Sequence, residues 1–126
     1  MTHPEIKEPS AGHPITIEPT NGRVQVRVNG ELVADTTAAL ELREATLPAV
    51  QYIPLSDVAQ DRLIRTATST YCPFKGEASY YSVTNSGGDT VEDVIWTYEQ
   101  PYPAVSAIKG HVAFYPNKAD ISVSDS

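Results

Sequence analysis

The amino-acid sequence predicts a mainly β fold with a few short helices, and three observations support this. Apolar and polar residues alternate in several short segments, as in residues 24–28 (VQVRV), and a period of two is typical of a strand with one buried face. The pair Asn29-Gly30 follows that segment directly and is a strong signal for a two-residue β-hairpin. Ten prolines and seven glycines among 126 residues favour frequent turns over long helices.

The first half of the chain is predicted to form strands that follow a short N-terminal arm. Residues 1–13 are rich in proline and charge and are predicted to be flexible, so that one β-rich domain spans residues 14–126. The Asn29-Gly30 turn should place Val28 opposite Glu31 and Val26 opposite Val33. The remaining strands of this half are predicted at residues 15–18, 24–28, 39–43 and 50–53. A short helix capped by Ser56 or Asp57 is predicted to follow and to run through Ile64.

The second half is predicted to contain a long aromatic hairpin and two closing strands. Residues 66–70 are polar and are predicted to be a loop. The hairpin strands are predicted at residues 78–84 and 91–98, and the closing strands at 111–115 and 119–123. One or two helical turns are predicted over residues 104–109, with Gly110 as the C-cap. The chain as a whole is predicted to have seven or eight strands and two short helices.

Composition excludes several classes of function. The formal net charge is −7, and the nine Lys and Arg residues form no basic run, so nucleic acid is not an expected partner. The single cysteine permits neither an internal disulfide nor a Cys-rich zinc site. No apolar segment has the length of a signal peptide core or a membrane span. The expected location is therefore the cytoplasm, without membrane contact.

Several segments together resemble a known family. They are residues 27–35 (RVNGELVAD), 52–54 (YIP), 70–80 (TYCPFKGEASY), 96–101 (WTYEQP) and 108–115 (IKGHVAFY). In order and spacing they resemble the domain of unknown function 427, a family also labelled nucleotidyltransferase-like, over roughly residues 23–123. The resemblance implies two antiparallel sheets that lean together in a β-tent architecture. The zinc site of β-tent relatives is not expected here, because only Cys72 is present.

The residues do not support the nucleotidyltransferase label. Such enzymes usually hold metal ions with paired carboxylates. Here Glu92 and Asp93 are adjacent on a predicted strand, so their side chains should point to opposite faces of the sheet. His3 and His13 lie in or beside the arm and are not predicted to bind a metal. Neither a metal nor a cofactor is predicted.

The segment of residues 72–76 (CPFKG) is the most distinctive local motif. In a functional interpretation, Lys75 stabilises a reactive Cys72 thiolate, and Cys72 or Lys75 is a candidate catalytic nucleophile. In a structural interpretation, which we favour, Cys72 is a small buried hydrophobe beside a tight turn. A catalytic cysteine also needs a base, and nothing in the sequence places His111 near Cys72.

Aromatic residues form a second candidate cluster. Its members are Tyr52, Tyr80, Tyr81, Trp96 and Tyr98. Core packing accounts for at least half of them, and the remainder are predicted to line a pocket for a flat ligand or a cation. The predicted ligand-binding residues are Tyr52, Cys72, Lys75, Tyr80, Trp96 and Tyr98, with Arg43 joining Lys75 as a polar anchor.

Three functions stay open at this point. The first is a small-ligand-binding protein with little or no catalysis, whose partner is a small molecule. The second is an enzyme that uses Cys72 or Lys75, which includes the family's labelled nucleotidyltransferase activity. The third is a protein-interaction module whose aromatic face docks a peptide or a second copy of the chain, and a homodimer is compatible with the sequence.

Overall fold

The computed structural model describes residues 6–124, which form two antiparallel β-sheets and three short 3-10 helices. The ten strands in this part of the chain are β1 (Ile15–Pro19), β2 (Arg23–Val28), β3 (Glu31–Thr36), β4 (Leu40–Glu44), β5 (Val50–Pro54), β6 (Leu63–Cys72), β7 (Gly76–Thr84), β8 (Thr90–Thr97), β9 (His111–Phe114) and β10 (Asp120–Ser124). The helices span Leu55–Asp57, Gln60–Arg62 and Pro103–Ile108. The prediction of a mainly β fold with two antiparallel sheets is confirmed.

The small sheet covers one face of the large sheet. Seven strands form the large sheet in the order β1-β4-β5-β9-β8-β7-β6, and three form the small sheet in the order β10-β2-β3. The main core lies between them and includes Val24, Val26, Val28, Ile53, Val83, Val94, Ile95, Val112 and Phe114. The alternating valines of β2 are fully buried, as expected for a strand with one face against the core.

A second apolar cluster lies on the other face of the large sheet. It contains Leu42, Tyr52, Ala78, Tyr80, Tyr98, Val105, Ile108 and Ala113. Neighbouring residues of one strand divide between the two clusters: Tyr52 belongs to the second and Ile53 to the first. Alternate side chains of the large sheet therefore pack on its two faces, and the candidate site lies on the second face.

The large sheet curls so that its two ends approach each other. Strand β4 lies near one end of the strand order, and the hairpin of β6 and β7 lies at the other. Glu44 at the end of β4 nevertheless forms an ion pair with Lys75, which lies in the turn between β6 and β7. The sheet therefore wraps around the second cluster.

Residues 7–13 cross this junction between the sheet ends. The Lys7 amide donates a hydrogen bond to the Pro73 carbonyl at 2.8 Å. The His13 ring stacks on Phe74, with 4.0 Å between ring centroids and planes 10° apart. His3 lies outside the described residues. Among residues 6–124, no helix is long and apolar enough to cross a membrane.

Two of the wrong local predictions concern the region of β6. The segment from Leu55 to Ile64 forms two 3-10 turns and the start of a strand, rather than one helix that begins at Ser56 or Asp57. Residues 66–70, predicted as a loop, lie within β6, where Ser69 and Thr70 pair with β7 and residues 66–68 form a bulge. This edge strand is exposed along most of its length, so it needs no apolar alternation, and its threonines are favoured in strands by their branched Cβ.

The predicted turn of the first hairpin is confirmed, but the predicted register is only partly right. Val28 pairs with Glu31 as predicted, whereas Val26 pairs with Ala34 instead of Val33. A bulge between Val26 and Arg27 causes the shift. It leaves Val33 and Ala34 both buried, which strict alternation does not allow.

We predict that replacing Gly76 with Ala destabilises the protein by about 1–3 kcal/mol. Gly76 has a φ of +113°, and an added Cβ would lie 3.3 Å from the Gln100 carbonyl oxygen. Urea denaturation measures the change. The matched control is Gly87→Ala in the loop between β7 and β8, where an added Cβ meets no atom within 4 Å. Equal effects of the two substitutions would contradict this account.

Candidate functional site

A partly open cavity of about 290 Å³ lies on the second face of the large sheet. Its lining comprises Leu42, Glu44, Leu47, Pro48, Val50, Tyr52, Thr70, Tyr71, Cys72, Lys75, Tyr80, Trp96, Tyr98 and Tyr115. The exposed side chains of Leu47 and Tyr71 mark its rim. The lining comes from both ends of the sheet order, so the curl of the sheet creates the cavity.

The structure brings six of the seven predicted ligand-binding residues together around this cavity. They are Tyr52, Cys72, Lys75, Tyr80, Trp96 and Tyr98. Arg43 does not line it. Arg43 lies between Leu42 and Glu44, both of which face the cavity, so alternation along β4 turns Arg43 away. Its exposed guanidinium instead pairs with Glu41 at 2.9 Å.

A buried ion pair supplies the charged groups of the cavity. Lys75 and Glu44 are 8% and 9% exposed, and the Lys75 ammonium donates a hydrogen bond to Glu44 Oε1. The other carboxylate oxygen accepts a hydrogen bond from His13 Nε2 at 2.7 Å. Burial, the largest influence, works to raise the pKa of Glu44, but the hydrogen bonds and charges of Lys75 and His13 outweigh it and lower that pKa. Lys75 Nζ also lies 3.8 Å from Cys72 Sγ.

Hydrogen bonds between aromatic side chains fix the walls of the cavity. The Trp96 indole N–H donates to the Tyr52 hydroxyl at 3.2 Å. The Tyr80 hydroxyl is hydrogen-bonded to Thr70 at 2.8 Å and to Tyr115 at 3.2 Å. The rings of Trp96 and Tyr115 pack with centroids 4.5 Å apart. These bonds hold the rings in place and restrict their collapse into the open volume.

Three tyrosines of the cavity, Tyr52, Tyr98 and Tyr115, are uncharged near neutral pH. Burial raises the pKa of Tyr52 and of Tyr98 far above the ordinary value, and it raises the pKa of Tyr115 to about 12. The Tyr98 hydroxyl makes no hydrogen bond to another described residue, yet it is not sealed from solvent. It therefore presents a free neutral donor and acceptor in the cavity.

Sequence reasoning misses several residues of the site, and four of them take part in the hydrogen bonds described above. Thr70 and Tyr115 line the cavity, Glu44 pairs with Lys75, and His13 supports Glu44. A signal for Glu44 exists in the sequence, since Leu42 is expected to face inward and Glu44 follows it by two residues on a strand. The sequence contains no signal that links His13 to Glu44, which follows it by 31 positions.

The histidine considered as a base for Cys72 lies elsewhere. His111 does not line the cavity, and its Nδ1 lies 3.0 Å from the Lys109 carbonyl oxygen. Within the described chain, His13 is the histidine linked to this site, through Glu44 and Lys75.

The expected separation of Glu92 and Asp93 is wrong. Asp93 has a φ of +48° beside an irregularity in the pairing of β7 and β8, and both residues line one shallow groove. The two Asp93 oxygens accept hydrogen bonds of 2.7 Å from Thr66 and Thr68. Residues 6–124 contain no group of three or more His, Cys, Asp or Glu side chains placed to hold a metal ion.

We predict that Lys75→Met lowers the free energy of unfolding by about 3–5 kcal/mol, because it leaves the buried Glu44 carboxylate without its cation. The double variant Lys75→Met/Glu44→Leu should be more stable than Lys75→Met. Arg43→Met, which breaks an exposed pair, should change stability by about 1 kcal/mol or less. Chemical denaturation of the three variants tests this, and a double variant no more stable than the single one would contradict it.

A second prediction concerns the acid stability of the protein. The pKa of Glu44 is lower in the folded state than its ordinary value of 4.5, so the stability that Glu44 contributes is present above about pH 4.5. That contribution is lost as the pH falls through the folded-state pKa. Unfolding measured from pH 7 to pH 3 should depend less on pH in Glu44→Gln than in the unsubstituted protein. Parallel curves would show that Glu44 is not stabilised as described.

Comparison with protein families gives one match that covers most of the chain. A family model described as a domain of unknown function (DUF427) matches residues 16–125. The matched range includes every residue that lines the cavity. No curated protein matches the chain significantly.

Proposed function

This chain belongs to the DUF427 family, and we propose that it binds a small, flat, uncharged organic molecule in the aromatic cavity. The observation that carries the proposal is the cavity itself: an unfilled volume of about 290 Å³ bounded by aromatic rings, tyrosine hydroxyls and one ion pair. That size approaches the lower end of known ligand pockets, about 300 Å³. We place this binding function in the cytoplasm.

The shape of the cavity favours a flat ligand. Trp96 and Tyr115 offer ring surfaces at one wall, and Tyr52 contacts Trp96 edge to face at a centroid distance of 6.4 Å. A planar conjugated molecule gains dispersion and stacking energy against such surfaces. An ordinary core would fill this space with side chains to the density of an organic crystal.

The charges of the cavity favour an uncharged ligand. The Lys75 charge is compensated by Glu44, and burial keeps Tyr52, Tyr98 and Tyr115 neutral. A bound anion would have to share Lys75 with a buried carboxylate, and a bound cation would lie close to the Lys75 ammonium. Either would add an uncompensated charge to a desolvated site, which is costly.

The geometry also supports one enzymatic function. Cys72 Sγ and Lys75 Nζ are 3.8 Å apart and both residues line the cavity, an arrangement in which the ammonium can stabilise a thiolate nucleophile. The labelled nucleotidyltransferase activity and protein docking gain no specific support. The tyrosines of the aromatic cluster lie mostly inside the cavity or core, with Tyr80 and Tyr98 less than 10% exposed.

The binding proposal predicts a Trp96-dependent increase in thermal stability. Flat neutral compounds, nucleotides and common cofactors are screened with and without Mg²⁺. A ligand at about 100 times its Kd should stabilise the fold by about 2.7 kcal/mol, which amounts to several degrees in Tm. The increase should disappear in Trp96→Ala and persist in Arg43→Ala, with circular dichroism confirming that both variants fold.

The single tryptophan provides a direct readout for the same screen. Trp96 is the only tryptophan in the chain, so a ligand that enters the cavity should change the intrinsic fluorescence. Stabilisation only by nucleotides with Mg²⁺ would replace the proposal with the nucleotidyltransferase activity. Stabilisation that persists in Trp96→Ala would place the ligand outside the cavity.

The enzymatic function is tested by the reactivity of Cys72. If Cys72 is a structural residue of the cavity wall, iodoacetamide should label it at pH 7 no faster than a free cysteine in solution, and a bound ligand should slow the labelling further. Mass spectrometry measures the rate. If Cys72 is labelled well above the solution rate, and if the labelling slows in Lys75→Met/Glu44→Leu, the result would favour an activated nucleophile.

A further inference from the structure

We propose that the cavity selects flat molecules that carry a neutral carbonyl group, and that Lys75 and Tyr98 recognise its oxygen. The inference rests on the proposed binding function and specifies its ligand class. It starts from polar groups that line the cavity and have unused hydrogen-bonding capacity.

Lys75 retains one unused donor. An ammonium group has three N–H donors. One is directed to Glu44, and a second is within reach of the Cys72 sulfur at 3.8 Å. The third has no partner among the described residues, although the Lys75 side chain is only 10% exposed. A buried donor of this kind needs an acceptor, which is water in the empty cavity and a ligand oxygen when the cavity is filled.

The hydroxyl group of Tyr98 is a second hydrogen-bond donor, and it is uncharged. Its hydroxyl has no hydrogen-bond partner among residues 6–124, and the residue lines the same cavity. Lys75 and Tyr98 therefore both present a hydrogen-bond donor to one cavity. A carbonyl oxygen has two lone pairs and can accept from both donors at once.

The same groups discriminate against ligands of different chemistry. A flat hydrocarbon would displace water and leave the third Lys75 N–H without an acceptor, which weakens binding. A carboxylate would satisfy the donor but would bring a second negative charge next to Glu44. A neutral carbonyl satisfies the donor without that repulsion, and sites built for a hydrogen bond reject analogues that lack the matching group.

Three matched bicyclic probes test the inference by isothermal titration calorimetry: oxindole carries a neutral carbonyl, indole lacks it, and indole-2-carboxylate is anionic. Oxindole should bind the unsubstituted protein at least about tenfold more tightly than either of the others, the factor that corresponds to one unsatisfied donor. Tyr98→Phe should reduce the preference for oxindole over indole severalfold. Lys75→Met/Glu44→Leu, which removes the pair together and avoids an unpaired Glu44, should also reduce the preference severalfold and leave only the contribution of Tyr98.

The outcomes separate this inference from the binding proposal. Equal, Trp96-dependent binding of oxindole and indole would overturn carbonyl selection and leave the binding function standing. Tighter binding of indole-2-carboxylate would overturn the neutral ligand class in favour of an anion. A preference for oxindole that both variants retain would show that Lys75 and Tyr98 do not recognise the carbonyl. If none of the three probes binds, the inference would be overturned together with the proposal that the cavity accepts flat bicyclic molecules.

Discussion

The ion pair between Glu44 and Lys75 joins the two ends of the curled large sheet. Glu44 ends β4 near one edge, and Lys75 lies in the turn between β6 and β7 at the other. Both groups are buried, so each needs the other to offset the loss of hydration. The sheet can therefore keep its charges paired only in the curled form that encloses the cavity. His13 adds a hydrogen bond to Glu44 and stacks on Phe74, which brings the N-terminal segment onto the same junction.

The chemistry of the cavity follows from this constraint. Because Glu44 compensates the charge of Lys75, the polar end of the cavity carries almost no net charge. The aromatic hydroxyls beyond it are bonded largely to one another, as in the chain from Thr70 through Tyr80 to Tyr115. Such internal bonds leave few groups for the ligand of the proposed function, among them the remaining donors of Lys75 and Tyr98, which both line the cavity. Under the proposed binding function, recognition as well as stability would depend on the buried ion pair.

The parts of the fold that depend on local patterns are predictable from the sequence. Strands with one buried face and the Asn29-Gly30 turn are recognisable because side-chain period and turn geometry are local properties. Strand β6 is not predicted because both of its faces are largely exposed, so its polar composition, rich in threonine, resembles that of a loop. The irregularities beside Val26 and Asp93 are not predicted, because one or two inserted residues leave no distinct mark in composition.

The site is predictable to the extent that its residues share strand faces. Alternation groups Trp96 with Tyr98, and the motif around Lys75 is distinctive in composition. The assignment of Arg43 to the site conflicts with the inward orientation expected for Leu42 beside it, and the alternation rule favours Glu44 in its place. The contact between Glu44 and Lys75 joins residues 31 positions apart across a curled sheet, and no local pattern encodes that curl.

The most direct test of the ligand-binding cavity is a titration of ¹⁵N-labelled protein with oxindole, followed by two-dimensional NMR. The account predicts that the Trp96 indole N–H signal and the backbone amides of Tyr52, Cys72 and Lys75 shift together along one binding curve, while the amides of β2 and β10 on the opposite side of the molecule stay in place. Shifts confined to residues outside the cavity, or no shift at millimolar oxindole, would contradict it.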